Sequence, residues 1–264
     1  MKQRSSITPF DYFSPVISEH VMGLADLHIH SIFSDGVATV EAILYHASAQ
    51  TDLDVIAITD HNSIEGALQA LALADKFRVA VVPGSEICTA EGDLLALFIE
   101  QEIAPGQPYV QTAMQVRALG GLPIAPHPFD WLANSVGASL LRRIQQEHPG
   151  LLAGLEVFNG SLVTSLANRR AEKLRWELGL PGLGNSDAHM LEEIGVARTL
   201  FAGNTPAALR VALEHGAVTP ARKKRDKHYY RRSAWRFALR MGLGVADTLE
   251  SRSGRERIRW RRVK

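Results

Sequence analysis

The sequence is poor in cysteine and lacks long apolar runs, and each shortage excludes a class of protein. Its 264 residues contain one cysteine, Cys88, which excludes an internal disulfide framework and fits a reducing compartment. No uninterrupted stretch of about 18 apolar residues occurs, as a membrane-spanning helix would need. Residues 1–15 also lack the apolar core and cleavage site of a signal peptide. We therefore expect an unprocessed, cytoplasmic protein without an integral membrane segment.

The chain has no glycine-rich loop of the kind that binds nucleotide phosphates. After the first predicted strand, Ser34-Asp35-Gly36 lacks the spacing of a dinucleotide fingerprint or a Walker loop. With 46% hydrophobic residues, the chain is long enough to bury one large core. We predict one catalytic domain over residues 21–220, preceded by a lead-in over 1–20 and followed by a basic tail over 221–264.

Charge is unevenly distributed along the chain. The net charge is +1, but 16 of the 29 Lys and Arg and only 4 of the 28 Asp and Glu lie between Arg222 and Lys264, so the tail carries about +12. Such a tail on an acidic body is typical of contact with a polyanion or a membrane surface. Its arginines are interleaved with apolar residues, which leaves three roles open: binding an anionic membrane, binding a phosphate backbone, or packing against the acidic body. A solvated extension without a partner is the remaining alternative.

Short aliphatic runs alternate with helical patterns from Gly23 to about Thr219. This alternation predicts βα units around a mostly parallel sheet, and about seven units favour a closed or nearly closed α/β barrel. Strands are predicted at residues 24–29, 54–59, 79–84, 94–99, 122–125, 154–158 and 180–184. Helices are predicted near residues 37–49, 63–77, 108–119, 138–146, 161–178 and 205–214.

Histidines and carboxylates recur just past the ends of these strands. His28 and His30 alternate with apolar residues in the first strand segment, so both imidazoles point to one side, where they could bind a borderline metal. Asp35 follows in a Ser-Asp-Gly loop just beyond this strand, and the later strand ends carry Asp60, His61, Glu86, His127, Asp187 and His189. In a parallel α/β barrel, the carboxyl ends of the strands form the face where catalytic residues converge.

The remaining candidate residues are expected to lie outside this face. The other five histidines occur in helical or tail segments and are predicted to lie on the surface: His20, His46, His148, His215 and His228. Cys88 is predicted to be a small buried side chain, and Asp93 an exposed loop residue.

The ordered motifs resemble those of the PHP (polymerase and histidinol phosphatase) superfamily. They are His-x-His, Ser-Asp-Gly, Thr-Asp-His, Gly-x-Glu, Pro-His-Pro and Ser-Asp-x-His, between about Ala25 and Phe201. The resemblance implies a distorted (β/α)7 TIM-like barrel that holds two or three divalent metal ions, Mn, Zn or Fe. It also implies a metal-dependent phosphoesterase, a phosphatase or an exonuclease.

Carried over residue by residue, the resemblance divides the ligands among three ions. It implies that one ion is held by His28, His30, Glu86 and Asp187. Glu86 would bridge to a second ion held by His127 and by Asn159, where relatives commonly have His or Cys. A third ion would be held by Asp35, His61 and His189.

The expected reaction is attack on a phosphate ester by a hydroxide that the metals activate. Asp60 is a candidate acid for the leaving oxygen, but the favoured role is orientation of a histidine. Arg198 could bind the phosphate, or be a surface arginine. The expected substrate is a phosphorylated small molecule, such as a nucleotide or sugar phosphate, or a short nucleic-acid end. The alternative function is a PHP-type binding module with a structural or vestigial metal site.

Overall fold

The computed structural model describes residues 21–130, 133–160 and 165–223. The expected lead-in (1–20) and all but the first three residues of the expected tail (221–264) lie outside these ranges, so the roles given to them stay predictions. Across the described ranges, no helix is both long and apolar enough to cross a membrane.

All seven predicted strands and six predicted helices are present, and two further strands follow them. The strands are β1 (Met22–Asp26), β2 (Val55–Ile58), β3 (Ala80–Thr89), β4 (Gly92–Leu97), β5 (Leu122–Ala125), β6 (Gly154–Asn159), β7 (Gly182–Asn185), β8 (Ala197–Ala202) and β9 (Val218–Arg222). The helices are α1 (Val40–Gln50), α2 (Glu65–Leu73), α3 (Tyr109–Ala118), α4 (Ala138–Glu147), α5 (Ser165–Leu178) and α6 (Pro206–Glu214).

The strands form one sheet in the order β7-β6-β5-β4-β3-β2-β1-β8-β9. Neighbours pair in parallel from β1 to β3 and from β5 to β7. β4 is antiparallel to both β3 and β5, and β8 and β9 add two more antiparallel pairings. The expected mostly parallel sheet is therefore wrong for half of the pairings. The reason at β4 is a two-residue turn between Thr89 and Gly92, which is too short for a crossover helix.

Side chains across the sheet ends close it into a distorted barrel. The Thr199 hydroxyl, on β8, donates to the Gly184 carbonyl of β7 at 2.9 Å and accepts from the Gly184 amide at 3.1 Å. A Cβ at Gly184 would lie 2.6 Å from the Arg198 carbonyl oxygen, so glycine permits this close approach. The expected distorted TIM-like barrel is confirmed.

The apolar core lies on both faces of the strands. On β2, Val55 and Ala57 belong to the cluster inside the barrel, which α6 also joins, whereas Ile56 and Ile58 pack with α1 and α2 outside. A strand buried on both faces is a continuous apolar run, as VIAI is. Polar side chains are consequently displaced to the strand ends, where they form a group of their own.

We predict that Thr199→Val lowers the free energy of unfolding by about 1–3 kcal/mol, because it leaves the buried Gly184 amide and carbonyl without their partner. Chemical denaturation of the purified protein measures this change. Thr219→Val, at an exposed position on β9, is the matched control and should change stability little. Equal stability of the two variants would mean that Thr199 does not close the barrel.

Candidate metal centre

His28 and His30 lie just beyond β1, and both are buried. The backbone between them is held on two sides: the Ala188 carbonyl accepts from the His30 amide at 2.8 Å, and the Ile29 carbonyl accepts from the Thr59 amide at 2.8 Å. This extended segment places the two imidazoles on one face, with ring centroids 5.0 Å apart. The alternation of His28 and His30 with apolar residues therefore places both imidazoles on one side of the segment, as expected.

Glu86 and Asp187 face this pair of imidazoles. Glu86 Oε2 lies 3.1 Å from His28 Nε2 and 3.3 Å from His30 Nε2. Asp187 Oδ1 lies 3.6 Å and 3.3 Å from the same two nitrogens. Glu86 lies inside β3 and not past its end as the sequence predicted, because pairing with β4 extends β3 to Thr89.

His127 approaches Glu86 from the end of β5. Its Nε2 lies 2.8 Å from Glu86 Oε1. Its Nδ1 lies 3.3 Å from the Ser135 hydroxyl, which itself donates to the His127 carbonyl at 2.7 Å. The ring is thus fixed on both nitrogens, and its backbone has a φ of +28°.

Asp35, His61 and His189 form a more open group beside His30. His189 Nε2 lies 3.1 Å from Asp35 Oδ1, and His61 Nε2 lies 3.9 Å from the same oxygen. The ring of His30 stacks on that of His189, with centroids 4.3 Å apart. The His61 side chain is 32% exposed and that of Asp35 is 29% exposed, so the cluster opens to solvent on this side.

The donor atoms suit divalent ions. Three sets have ligand atoms within 4.8 Å of one another: His30, Asp35, His61 and His189; His28, His30 and Asp187; His28, Glu86 and His127. Nε2 of His28 and of His30 is buried without a hydrogen bond to any described residue. Each of these nitrogens faces carboxylate oxygens of Glu86 and Asp187 at 3.1 to 3.6 Å, and a cation between them would satisfy the nitrogens and the carboxylates together. Imidazole and carboxylate together suit Zn, Mn or Fe.

Opposite charges determine the protonation of the cluster. Burial lowers the pKa of His30, but the carboxylates of Asp187 and Glu86 outweigh it and raise that pKa to about 9. Burial likewise lowers the pKa of His127, while its hydrogen bond to Glu86 raises it to about 9. Burial raises the pKa of Glu86, but the charge of His28 and the hydrogen bond from His127 hold it well below its usual range. Without ions, protonated imidazoles therefore compensate ionised carboxylates.

Asn159 lies at the end of β6, beside the cluster. Its side-chain nitrogen donates to Glu156 Oε2 at 3.3 Å and to Asp187 Oδ2 at 3.2 Å. In this orientation the amide nitrogen stabilises two carboxylates and is not itself turned toward an ion as a ligand. The ligand role that the resemblance gives to Asn159 therefore stays a prediction.

Glu156, which the sequence analysis missed, is the buried carboxylate behind the histidines. Its Oε1 lies 3.0 Å from His28 Nδ1 and accepts from Asn185 Nδ2 at 2.7 Å. Its Oε2 accepts from the His127 amide at 2.9 Å. Because an ionised carboxylate only accepts, His28 must carry its proton on Nδ1, which leaves Nε2 free to bind an ion. The available signal was a single charge in the apolar strand Gly-Leu-Glu-Val-Phe-Asn.

The segment that carries Asp187 is tied to β1 across the barrel. The Leu27 amide donates to Asn185 Oδ1 at 3.0 Å, and the Ser186 amide donates to Asp26 Oδ1 at 2.9 Å. Asp26 is fully buried, and burial raises its pKa to about 6. These bonds place Asp187 opposite the two histidines of the β1 segment.

Asp60 holds the loop that follows those histidines. Its Oδ1 accepts from the Ser31 amide and the Ser34 hydroxyl, each at 2.6 Å, and its Oδ2 accepts from the Ser31 hydroxyl at 2.6 Å. The Ser34 hydroxyl also lies 3.4 Å from His30 Nδ1, so Asp60 reaches that imidazole through one serine. Both oxygens are buried and engaged. This geometry favours the orienting role over the acid role.

Arg198 does not reach the cluster. Its guanidinium forms an ion pair with Asp52, in the segment before β2, whereas His61 follows the opposite end of that strand. The prediction that Arg198 binds the phosphate is therefore corrected: this side chain has a structural partner at the other end of the barrel.

Cys88 and Asp93 also differ from expectation. Asp93 is 3% exposed on β4 and is not an exposed loop residue. Cys88 is only partly buried, and its Sγ lies 3.9 Å from His61 Nδ1. Together with His61, these two residues make a fourth compact set of donor atoms. The tight β3–β4 turn brings them beside the cluster.

Comparison with known proteins places these residues in a family. A model of the PHP domain matches residues 26–152, and a model described as PHP-associated matches residues 165–218. An uncharacterised protein of Methanocaldococcus jannaschii is 36% identical to the chain over 146 residues, which cover 51% of this chain and 81% of that relative.

Two solved structures share the fold. One is a two-domain protein from Bacteroides vulgatus that contains a predicted PHP-like metal-dependent phosphoesterase, with a TM-score of 0.67, 19% identity, and coverage of 89% of this chain and 74% of that one. The other is a lesion-specific endonuclease from Pyrococcus furiosus, with a TM-score of 0.54, 19% identity, and coverage of 76% and 58%. At these identities, the likeness shows the fold.

We predict that Glu156→Gln weakens binding of Mn²⁺ to metal-depleted protein by about 10–100-fold. The Glu156 carboxylate accepts hydrogen bonds on both oxygens, from His28 and Asn185 on one and from the His127 amide on the other, whereas glutamine has only one accepting oxygen. Titration calorimetry measures the affinity, and circular dichroism verifies the fold. Glu147→Gln, at an exposed position on α4, is the control. Equal affinity in both variants would show that Glu156 does not orient the ligands.

Proposed function

Because the chain belongs to the PHP family of metal-dependent phosphoesterases, we propose that it hydrolyses a phosphate ester at the histidine and carboxylate cluster. The observation that carries this proposal is the pair of buried Nε2 atoms of His28 and His30. They have no hydrogen bond to a described residue, and they converge on Glu86 and Asp187. Such an arrangement is suited to a cation.

We assign the ligands of two or three divalent ions to the compact donor sets. His28, His30 and Asp187 would hold one ion together with Glu86. His127 and Glu86 would hold a second ion, with Asn159 as the ligand that the family resemblance adds. The open group of Asp35, His61 and His189 would hold the third, with His30 beside it.

The protein residues contribute orientation and access. Divalent ions bound here would supply Lewis-acid activation of water and of the phosphoryl oxygens. Glu156 keeps the Nδ1 proton on His28, and Asp60 fixes the loop that presents Asp35 through Ser31 and Ser34. We therefore propose Asp60 as a positioning residue. Substrate would approach on the side of His61 and Asp35, the most exposed part of the cluster.

The exposure of the cluster at His61 and Asp35 favours a hydrolase over a binding module that holds a structural ion. Structural metal sites are closed by protein ligands, whereas catalytic sites keep a position open for water or substrate. His61 and Asp35 are about one third exposed, while His28, His30 and Glu86 are at most 1% exposed. One side of the cluster is thus accessible to a phosphate group.

Two classes of substrate remain within this proposal. A phosphorylated small molecule, such as a nucleotide or a sugar phosphate, needs only the exposed side of the cluster. A short nucleic-acid end is supported by the fold shared with the Pyrococcus endonuclease and by the basic sequence of residues 222–264. If the tail neutralises phosphates, cleavage of RNA will fall steeply with salt, while cleavage of a small monoester will not.

We predict that purified protein binds two to three divalent ions per chain and loses phosphoesterase activity when a chelator removes them. Elemental analysis gives the metal content, and a panel of phosphate esters gives the activity. Fewer than one ion per chain after reconstitution with Mn or Zn would contradict the proposed ligands. Bound metal without turnover on the whole panel would favour the binding module.

We further predict that His61→Ala and Asp187→Asn each abolish turnover while the protein stays folded, because the first removes a ligand and the second replaces a carboxylate with an uncharged, weaker donor, both at strand ends and not in the core. Asparagine tolerates the φ of +54° at position 187. His46→Ala, on α1 outside the cluster, is the control and should retain activity. If all three variants are equally active, the site has been placed wrongly.

A further inference from the structure

We propose that His61, Cys88 and Asp93 form a separate site for a thiophilic divalent cation, zinc or cadmium, at the outer edge of the histidine cluster. The three side chains offer one nitrogen, one sulfur and one oxygen within 4.8 Å of one another. This donor set differs from the three beside it, which contain only imidazole and carboxylate.

The β3–β4 hairpin determines this arrangement. Cys88 and Asp93 are directly paired across the two strands, so their side chains lie on the same face. Glu86 lies two residues before Cys88, and a period of two places it on that face as well. Along the hairpin, the face that carries Glu86 therefore also carries the Cys88 sulfur and the Asp93 carboxylate.

His61 lies between the two groups and presents a different nitrogen to each. Its Nδ1 lies 3.9 Å from Cys88 Sγ and 3.2 Å from Glu86 Oε2, whereas its Nε2 lies 3.9 Å from Asp35 Oδ1. A neutral imidazole has one lone pair for a metal and one N–H. An ion bound through Nδ1 therefore withdraws His61 from the group with Asp35 and His189.

Asp93 is a buried carboxylate whose hydrogen-bond donors, the Asn134 amide and the Cys88 thiol, are both neutral. It is 3% exposed, and its Oδ1 accepts from the neutral amide of Asn134 at 2.9 Å. The hydroxyl of Tyr109, fully buried and within electrostatic range of Asp93, makes no hydrogen bond to any described residue. A buried carboxylate beside an unsatisfied polar group is costly, and a cation would compensate that carboxylate.

The donor chemistry selects the ion. Thiolate with imidazole and carboxylate suits zinc and its softer analogue cadmium, while manganese and magnesium prefer oxygen and nitrogen donors. Binding replaces the proton of the Cys88 thiol, which passes to solvent, and engages the Asp93 carboxylate and His61 Nδ1. No oxidant or other co-reactant is needed.

Titration of the metal-depleted full chain with Cd²⁺ tests the site. Cys88 is the only cysteine, so any thiolate-to-metal charge-transfer absorption must come from it. We expect this absorption to reach the amplitude of one thiolate–Cd²⁺ bond per chain, to vanish in Cys88→Ala, and to need at least about tenfold more Cd²⁺ in Asp93→Asn, which retains the thiol. The readout does not require turnover, so the site can fail while the proposed hydrolysis holds, and the reverse.

The control is Asp75→Asn, which removes one negative charge at an exposed position outside the group and should titrate as the unmodified chain does. Absence of the absorption, or equal affinity in Asp93→Asn and the unmodified chain, would overturn the proposal, since the cysteine would then bind alone.

A second measurement needs no variant and therefore does not depend on Asp93→Asn folding. Alkylation of Cys88 in the unmodified protein should slow at least about tenfold with Cd²⁺ or Zn²⁺, and should not slow with Mn²⁺, because only the thiophilic ions occupy the sulfur. Equal rates with Cd²⁺ and Mn²⁺ would refute the site.

Discussion

The buried carboxylate of Glu86 is the group on which the rest of the site depends. It faces four imidazoles at 2.8 to 3.3 Å, those of His28, His30, His61 and His127. An uncompensated buried ion costs on the order of several kcal/mol, so the ends of β1, β2 and β5 must meet the β3–β4 hairpin correctly for the fold to tolerate it. The same convergence gathers ligands from distant parts of the chain. The convergence of these strand ends on Glu86 is therefore needed both for a stable barrel face and for assembly of the proposed metal centre.

Hydrogen bonds to buried carboxylates stabilise two proposed ligand residues whose backbone is strained. His127 has a φ of +28°, in a region that costs a non-glycine residue on the order of 1–3 kcal/mol, and Asp187 has a φ of +54°. The His127 amide donates to Glu156, and the Ser186 amide beside Asp187 donates to Asp26. Both acceptors are buried carboxylates, Glu156 on β6 and Asp26 on β1. These carboxylates orient the ligands without belonging to the metal groups.

Sequence periodicity predicted the features that depend on local pattern, and it missed those that depend on which residues pair across strands. The alternation around His28 and His30, the apolar strands and the polar strand ends were all visible along the chain, and so were the barrel and the residues at its open face. Pairing across strands was not visible in the sequence. Asp93 was predicted to be a loop residue because the tight turn that pairs it with Cys88 has no distinctive sequence motif. Arg198 looked like a phosphate ligand because its partner Asp52 is distant in sequence. Glu156 was missed because its only signal was a charge inside an apolar strand.

Metal binding at the proposed ligands would be an exchange of cations, in which divalent ions replace protons on the imidazoles. Without ions, the carboxylates raise the pKa of His30 and His127 to about 9, so protons on the imidazoles compensate the buried negative charge at neutral pH. Divalent ions that displaced those protons would bring their own positive charge to the same carboxylates. The hydrogen bonds that Glu156 and Asp60 accept need not rearrange, because they hold the sides of the rings and loops that face away from the proposed ions. The open side at His61 and Asp35 is the exception, since both side chains are partly exposed and His61 can present either nitrogen. Variation in ion occupancy, and hence in chemistry, is therefore expected on that side, while the buried pair of histidines stays fixed.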